Sequence, residues 1–427
     1  MNFLHLFLND LKNIILSGSP SVESSKLAAY QVQIMDRFLF FFSFLIVFYS
    51  YIGYGIFIYL LVKISRLFSD QNNDQQVPGF EPDVTLVVAA YNEADFIERK
   101  LRNSLDLDYP AGKLRWIFIT DGSTDATPEI IRAYNNVLLL HQAERKGKVA
   151  AMNRAMNYVE TPYVIFSDAN TLLNQASIKE ILKHYADPLV GGVAGEKKII
   201  SGEKDKAAGA GEGIYWKYES ILKKLDSDFY SVVGAAGELF SVKTLLFHKA
   251  GEDTIIEDFV QSLQICMDGY VIRYEPKAFA TEAASVSVLE EQKRKVRIAA
   301  GAFQAMIILK RLFNVFKYPV LSFQFISHRI LRWTLCPLCL IICFFSNASL
   351  VRHGEGGFYV FVFLLQVVFY AMALVGWLFA TRNLKIKAFY IPYYFLFMNL
   401  SVFLGFYRFI RSKQTTVWDK AARDFHP

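Results

Sequence analysis

Val84-Thr-Leu-Val-Val-Ala-Ala90 and the three residues behind it, Tyr91-Asn-Glu93, decide how the chain is read. An uncharged run rich in β-branched residues ends abruptly on polar ones, and a polar helix is expected from Ala94. The pattern returns twice. Trp116-Ile-Phe-Ile-Thr120 leads into Asp121-Gly-Ser-Thr-Asp125 with a helix after Thr127, and Tyr163-Val-Ile-Phe-Ser167 leads into Asp168-Ala-Asn170 with a helix after Gln175. Continuous apolar runs with helices between them imply parallel strands covered on both faces, hence an α/β sheet of nucleotide-binding topology. Ligands of such sheets gather at the carboxyl ends of the strands, where Tyr91, Glu93, Asp121, Asp168 and Asn170 stand. Taken singly, each reads better as a helix cap than as a site residue, and Asp125 and Thr127, just ahead of Pro128, are expected to serve so. Three carboxylate-bearing strand ends on one sheet edge favour a site.

Outside this domain the composition changes. The chain has 427 residues, 53% hydrophobic, 15% aromatic and only 20% charged, with a mean hydropathy of +0.25. Soluble domains carry roughly 25% charged residues, so part of this chain belongs in lipid. The same figures exclude a disordered or collagen-like protein. A net charge of +6 suits an anionic leaflet or phosphorylated substrates without calling for nucleic acid. Uncharged stretches long enough to cross a bilayer run from Phe38 to Val62, Ile326 to Leu350, Phe358 to Thr381 and Ala388 to Tyr407. Arg329 and Arg332 lie in the first turns of the second and are expected to snorkel or to mark an interfacial start. The resulting division is an interfacial segment over 1–37, a transmembrane helix over 38–64, a linker over 65–80 and the α/β domain over 81–288. A basic interfacial helix region over 289–320, three spans over 321–410 and a polar tail over 411–427 follow. Within the first segment, Met1 to Leu16 suits the membrane surface. Cys336 and Cys339 have the spacing of a metal or redox pair, but in an apolar run they are expected to be small hydrophobes.

In order and spacing, VTLVVAAYNE, TDGSTD, RKGKVAAMN, FSDAN, IIED and RKVRIAAG resemble the motifs of membrane-embedded bacterial family 2 glycosyltransferases, the group of exopolysaccharide, chitin-oligosaccharide and hyaluronan synthases. The resemblance covers essentially the whole chain. It implies a GT-A domain, Rossmann-like and cytosolic, one N-terminal and three C-terminal transmembrane helices, a UDP-sugar donor, Mg²⁺ or Mn²⁺, and inversion at the anomeric carbon. Carried over residue by residue, it makes Asp168 and Asn170 the metal motif, usually two carboxylates. An amide in second place leaves one carboxylate, enough for a hydrated Mg²⁺ shared with substrate phosphate, at modest affinity. Tyr91 and Asp121, with Glu93 beside them, match positions that bind the uracil, and Lys148 matches one near the donor diphosphate. Asp258 matches the general base. Adjacent helical residues point about 100° apart, so Asp258 rather than Glu257 is expected to face the acceptor.

The last motif departs from the pattern. Where processive members carry Gln-x-x-Arg-Trp, this chain has Arg294-Lys-Val-Arg297-Ile298. Arg294 and Arg297, one helical turn apart, can clamp a diphosphate, but the aromatic platform for the acceptor sugar is missing. The expected reaction is transfer of one sugar, or a few, from a UDP-sugar such as UDP-GlcNAc or UDP-glucose to a lipid-linked or growing saccharide acceptor, in cell-surface polysaccharide or glycolipid synthesis. Trp216 and Phe303 are the alternative platforms if long polymers are made. A processive synthase and a catalytically silent nucleotide-sugar-binding scaffold are the rivals; a transporter is disfavoured because the spans hold no carboxylate. The expected location is the bacterial inner membrane, multi-pass, with a homodimer or an export partner left open. Lys63 and Arg66 then lie inside, and simple parity carries the tail, with Arg411 and Lys413, outside.

Overall fold

The computed structural model describes residues 20–68, 79–200, 208–283, 288–382, 384 and 386–411. Met1 to Leu16, the Ser69 to Gln76 linker and the tail beyond Arg411, Lys413 included, lie outside the described residues. Helices α1 (Pro20–Phe48) and α2 (Tyr54–Phe68), joined by a π-helical turn over Tyr49–Gly53, precede the sheet. Then follow β1 (Val84–Ala90), α3 (Ala94–Leu105), β2 (Leu114–Asp121), α4 (Thr127–Arg132), β3 (Leu138–Gln142), α5 (Lys148–Ala155) and β4 (Tyr163–Asp168). The domain continues through β5 (Leu172–Leu173), α6 (Ser177–Leu182), β6 (Val190–Ile200), α7 (Ala208–Phe229), β7 (Leu239–Lys243), α8 (Glu257–Met267) and β8 (Val271–Ala283). Last come α9 (Val288–Ile308), α10 (Pro319–Phe325), α11 (Leu331–Trp333), α12 (Leu335–Arg352), α13 (Gly357–Thr381) and α14 (Lys387–Ile410).

The strands form one sheet in the order β3-β2-β1-β4-β7-β6-β8-β5. Every residue of β1 is buried, with Val84, Leu86, Val88 and Ala90 in one core and Val87 and Ala89 in the other. A strand covered on both faces has no use for the polar alternation of a half-exposed one. The expected parallel pairing holds for β3, β2, β1 and β4. Beyond β4 the sheet is mixed: β7 runs antiparallel to both β4 and β6, β6 and β8 pair in parallel, and β5 runs antiparallel to β8. Glycine hides β6 from a reading of apolar runs. A Cβ on Gly192 would stand 2.8 Å from the Ser241 carbonyl oxygen, and one on Gly195 2.6 Å from the Leu239 side chain. Close backbone packing replaces side-chain bulk there.

Four helices are long and apolar enough to cross a membrane: Tyr30–Phe68, Leu335–Arg352, Gly357–Thr381 and Lys387–Ile410. The second begins later than expected, because the backbone breaks at Thr334 (φ −130°, ψ −82°). Arg329 and Arg332 precede that span, and both turn to protein partners. Arg329 Nη1 donates to Glu219 Oε2 at 2.8 Å and Arg332 Nη1 to Glu219 Oε1 at 2.6 Å, while Arg332 Nε reaches the Ser50 carbonyl at 2.9 Å. Glu219 belongs to α7 of the sheet domain, and the two cations outweigh its burial and hold its carboxyl well below the usual range. Beside it, Asp226 accepts from Tyr54 and pairs with His328 Nδ1 at 2.6 Å. Cys336, Cys339 and Cys343 are buried free thiols on α12, and among the described residues they join no group of three or more His, Cys, Asp or Glu that could hold a metal ion.

Two glycines bring the last helices together. A Cβ on Gly301 of α9 would lie 2.9 Å from Ile255 Cβ, and one on Gly405 of α14 would lie 2.5 Å from Ala299 Cβ and 2.8 Å from the Ala300 nitrogen. The helix α9 is thus pressed between the segment leading into α8 and the end of α14. Removing one partner of a buried ion pair costs roughly 3–5 kcal/mol. Glu219→Gln is therefore expected to lower the thermal unfolding midpoint of the solubilised protein far more than Glu160→Gln, which breaks an exposed pair with Arg115; equal midpoints would show that the buried network contributes nothing.

Candidate active site

The register aligns the strand ends: Ala89 faces Asp168, Ala90 faces Thr120, and Asp121 faces Gln142. Asn92, just past β1, is the one non-glycine residue with positive φ among the described residues (51°). Its side chain makes this conformation tolerable, as Asn92 Oδ1 accepts from the Thr124 N–H at 2.8 Å. Asp125 meets the expected capping of the next helix, its Oδ1 accepting from the Thr127 N–H at 3.1 Å at the start of α4, and both residues also serve α3. Asp125 Oδ2 accepts from the Ala94 N–H at 3.0 Å and Thr127 Oγ1 from the Glu93 N–H at 2.8 Å, so the loop after β2 caps α3. Glu93 stands in that cap, its backbone accepting the first bonds of α3.

Asp121 is buried at the end of β2, where its Oδ2 accepts from the Lys146 and Gly147 N–H groups at 2.9 and 2.6 Å. Its other oxygen, Oδ1, is buried with no hydrogen-bond partner. Gly122 (φ +69°) makes the turn possible, because a Cβ there would stand 2.6 Å from Arg145 Cβ. Above it the Arg145 guanidinium lies 3.5 Å from the centre of the Tyr91 ring. The Arg145-Lys-Gly-Lys148 turn is therefore only partly a solvated loop: Lys146 is exposed beside Glu144, while Arg145 and Lys148 face inward. One face of Tyr91, expected to stack a base, carries Arg145.

Lys148 is the first residue of α5, a position where the helix dipole disfavours a cation. Carboxylates compensate. Its Nζ lies 2.9 Å from Asp168 Oδ1 at the end of β4 and 3.1 Å from Glu257 Oε1 at the start of α8. Asp258 completes the group. Gly237 is the spacer, since a Cβ there would stand 2.8 Å from Lys148 Nζ and 3.2 Å from Asp258 Oδ2. Burial alone would pull the Lys148 ammonium down, but Asp168, Glu257 and Asp258 outweigh it and hold the charge on. α8 starts at Glu257, and the carboxylates of both Glu257 and Asp258 lie at the Lys148 cluster. Burial, reinforced by the Glu257 charge, pushes the Asp258 carboxyl up to about 7 despite Lys148 and the Phe259 N–H.

Asn170 follows Asp168 by two residues, and its Oδ1 is buried without a hydrogen-bond partner. Arg297 on α9 feels this site electrostatically. Burial lowers its guanidinium from the ordinary value, Glu257 and Asp168 oppose the fall, and Arg408 and Arg294 add to it. Arg294 itself makes a two-pronged contact with Glu291, Nε to Oε2 and Nη2 to Oε1, both 2.9 Å. The structure thus brings Lys148, Asp168, Asp258 and Arg297 into one neighbourhood and puts Tyr91, Glu93 and Asp121 at the adjoining strand ends. Sequence reading missed Glu238, which pairs with buried Lys197, and it missed Arg408. The run Gly234-Ala-Ala-Gly-Glu238, with Gly234 at φ +89° and a Cβ there only 2.0 Å from the Phe259 ring, is the signal that could have marked the first. Of the alternative platforms, Phe303 packs on Phe406 and Phe409, with ring centres 4.9 and 6.2 Å away. Trp216 sits among the ammonium groups of Lys197, Lys223 and Lys295 at 5.2, 5.9 and 5.4 Å.

Residues 85–247 match the family model described as glycosyl transferase family 2. The chain is 28% identical over 292 residues to the poly-beta-1,6-N-acetyl-D-glucosamine synthase of Staphylococcus aureus, covering 66% of this chain and 68% of that one. Against the synthase of the same name from Staphylococcus epidermidis it is 25% identical over 322 residues, covering 73% and 75%. Among solved structures, a mannosyltransferase from Pyrobaculum calidifontis in complex with GDP-Man and Mn²⁺ shares the fold with a TM-score of 0.67 at 22% identity, over 88% of this chain and 99% of that one.

A carboxyl raised to about 7 is protonated below that pH and can accept a proton only above it. Glycosyl transfer is therefore expected to rise with pH through an acid limb near 7. Glu257→Gln removes the charge that helps to raise Asp258, so its limb is expected at lower pH; a limb that stays put in this variant would show that another group titrates.

Proposed function

We propose that the chain is a family 2 glycosyltransferase that moves an N-acetylhexosaminyl or hexosyl group from a UDP-sugar to a lipid-linked or growing saccharide acceptor with inversion. The observation that carries this reading is the Asp258 carboxyl, raised to about 7 and set beside the Lys148 and Asp168 pair. In the proposed mechanism Asp258 takes the proton of the acceptor hydroxyl as its oxygen attacks the anomeric carbon from the face opposite the diphosphate. The bond between that carbon and the diphosphate oxygen breaks, and the electron pair leaves with UDP. Asp121, with one buried oxygen unpaired, suits a uracil N–H, and Tyr91 with Arg145 on one face leaves the other to the base. Lys148, Arg294 and Arg297 are the cations this reading assigns to the departing diphosphate. Asp168 and the unpaired Asn170 Oδ1 fit a divalent ion, Mg²⁺ or Mn²⁺, which would neutralise charge on the diphosphate when bound.

The relatives' names support GlcNAc as the sugar and favour a second reading, processive polymer synthesis. Ile298 in place of an aromatic and Phe303 committed to helix packing support short products instead. Size analysis of the product made by the purified chain decides between them; a long ladder would transfer the platform role to Trp216. We place the protein in a bacterial inner membrane with its catalytic domain in the cytosol. The end of α14, set against α9 beside the site, supports a cytosolic tail, which requires one apolar helix to lie in the interface.

Purified protein given radiolabelled UDP-GlcNAc and UDP-glucose is expected to transfer sugar, where a silent scaffold would only bind. Asp258→Asn is expected to lose roughly 10² to 10⁴ in rate, as for loss of a general base, with UDP binding nearly intact. Asp168→Ala is expected to abolish metal-dependent UDP binding and Asn170→Ala to weaken it less. Near-normal turnover of Asp258→Asn would reject the assignment of the base.

A further inference from the structure

Lys100 is a charged residue in an apolar place. It sits on α3 between Ile97 and Leu101, and all three side chains are fully buried. A methionine would fill that space without taking an amine out of water, so packing alone does not account for the lysine. Among the described residues its one hydrogen bond runs from Nζ to Ser167 Oγ, at 2.7 Å. Burial pulls the amine down to about 7 against the charge of Asp168, yet Nζ keeps a hydrogen to donate in either state.

Ser167 is the junction. It and Asp168 are neighbours at the end of β4 and point to opposite faces of the sheet, so Lys100 holds the one from the α3 side while Lys148 meets the other from the α5 side. Ser167 Oγ also lies 3.2 Å from Thr171 Oγ1 and 3.2 Å from the Glu238 carbonyl. Thr171 Oγ1 in turn donates to the Asp168 carbonyl at 2.9 Å, closing the turn that carries Asn170. One helical turn further along α3, Asn103 takes the far side, exchanging two hydrogen bonds of 2.8 Å with the Leu173 backbone. A single helix thus grips the Asp168 to Asn170 turn at both ends. Through Ser167 it also ties that turn to the run whose Gly237 stands against Lys148 and Asp258.

We propose that Lys100 is a positioning residue for the Asp168 to Asn170 turn, acting through Ser167 from behind the sheet. Fully buried on that face, it is out of reach of donor and acceptor. The role rests on the donor reading above, in which the turn meets a divalent ion and the diphosphate. Without the amine, Ser167 Oγ loses its shortest hydrogen bond, and the carboxylate beside it loses the support that fixes its place. Support of this kind is worth roughly ten- to a hundredfold in metal affinity.

The test uses the full chain in nanodiscs. Binding of UDP with Mn²⁺, of UDP without metal and of uridine is measured by calorimetry, and free Mn²⁺ by its electron paramagnetic resonance signal. The variants are Lys100→Met, Ser167→Ala, the two combined, and Asp168→Ala. Lys100→Met is expected to weaken Mn²⁺ uptake and Mn²⁺-dependent UDP binding roughly tenfold or more, with uridine, metal-free UDP and the unfolding midpoint unchanged. Ser167→Ala is expected to show the same split, which keeps the test open if Lys100→Met does not fold. The combined variant loses no more than the weaker-binding single, because the amine acts through that hydroxyl. Metal-dependent binding at the wild-type level in Lys100→Met, with Asp168→Ala unable to bind, would overturn the role and leave the donor reading intact. So would an equal loss of all three ligands with a lowered midpoint, the mark of a side chain that only holds the fold together. Wild-type binding of Mn²⁺ and UDP by Asp168→Ala would instead reject the donor reading, and the positioning role with it.

Discussion

Three carboxylates from two separate parts of the chain cannot crowd together unless a cation lies among them, and Lys148 is that cation. Asp168 ends β4, while Glu257 and Asp258 begin α8, and Lys148 is the first residue of a helix whose own dipole would expel it. Each member is unfavourable where it stands without the others: the ammonium at a helix N-terminus, the carboxylates among like charges. Together they satisfy one another. The same balance sets how readily Asp258 accepts a proton, because Glu257 raises its pKa while Lys148 lowers it.

The glycines keep this group tight. Gly237 leaves room for the Lys148 ammonium and the Asp258 carboxylate, and Gly234 gives way to the Phe259 ring. Farther out, Gly301 lets α9 reach the residues ahead of α8, and Gly405 lets α14 reach α9. At each of these places a Cβ would displace a side chain or backbone atom that the site needs. The chemistry at the strand ends is connected to the apolar helices by close contacts rather than by a tether.

Much of this was legible beforehand. The runs at Val84, Trp116 and Tyr163 read as strands because a strand buried on both faces must be continuously apolar, and the polar residues at their ends read as a site because nothing else explains carboxylates on one edge. The mixed half of the sheet was not legible, since the glycines of β6 pack through backbone and leave no apolar pattern. Nor could spacing show that Arg145 would cover Tyr91, or that Arg329 and Arg332 would turn to Glu219 instead of to lipid headgroups. Local pattern specifies which elements form, whereas the partner of a long charged side chain depends on what the fold brings alongside it. Glu219 lies 110 residues from Arg329.

That ion pair bears on where the molecule can be divided. Arg329 also donates from Nε to the carbonyl of Val233 at 3.2 Å, and Val233 opens the Gly234 to Glu238 run beside the site. A chain trimmed to the sheet and its helices for solubility would keep Glu219 and Asp226 in an apolar setting while discarding Arg329, Arg332, His328 and Tyr54. Glu219 would then be stripped of its counter-ions, Asp226 of its hydrogen-bond partners and the Val233 backbone of its anchor. The catalytic unit therefore does not end where its sheet ends: its autonomous folding unit includes the first and second helices and the segment up to Trp333.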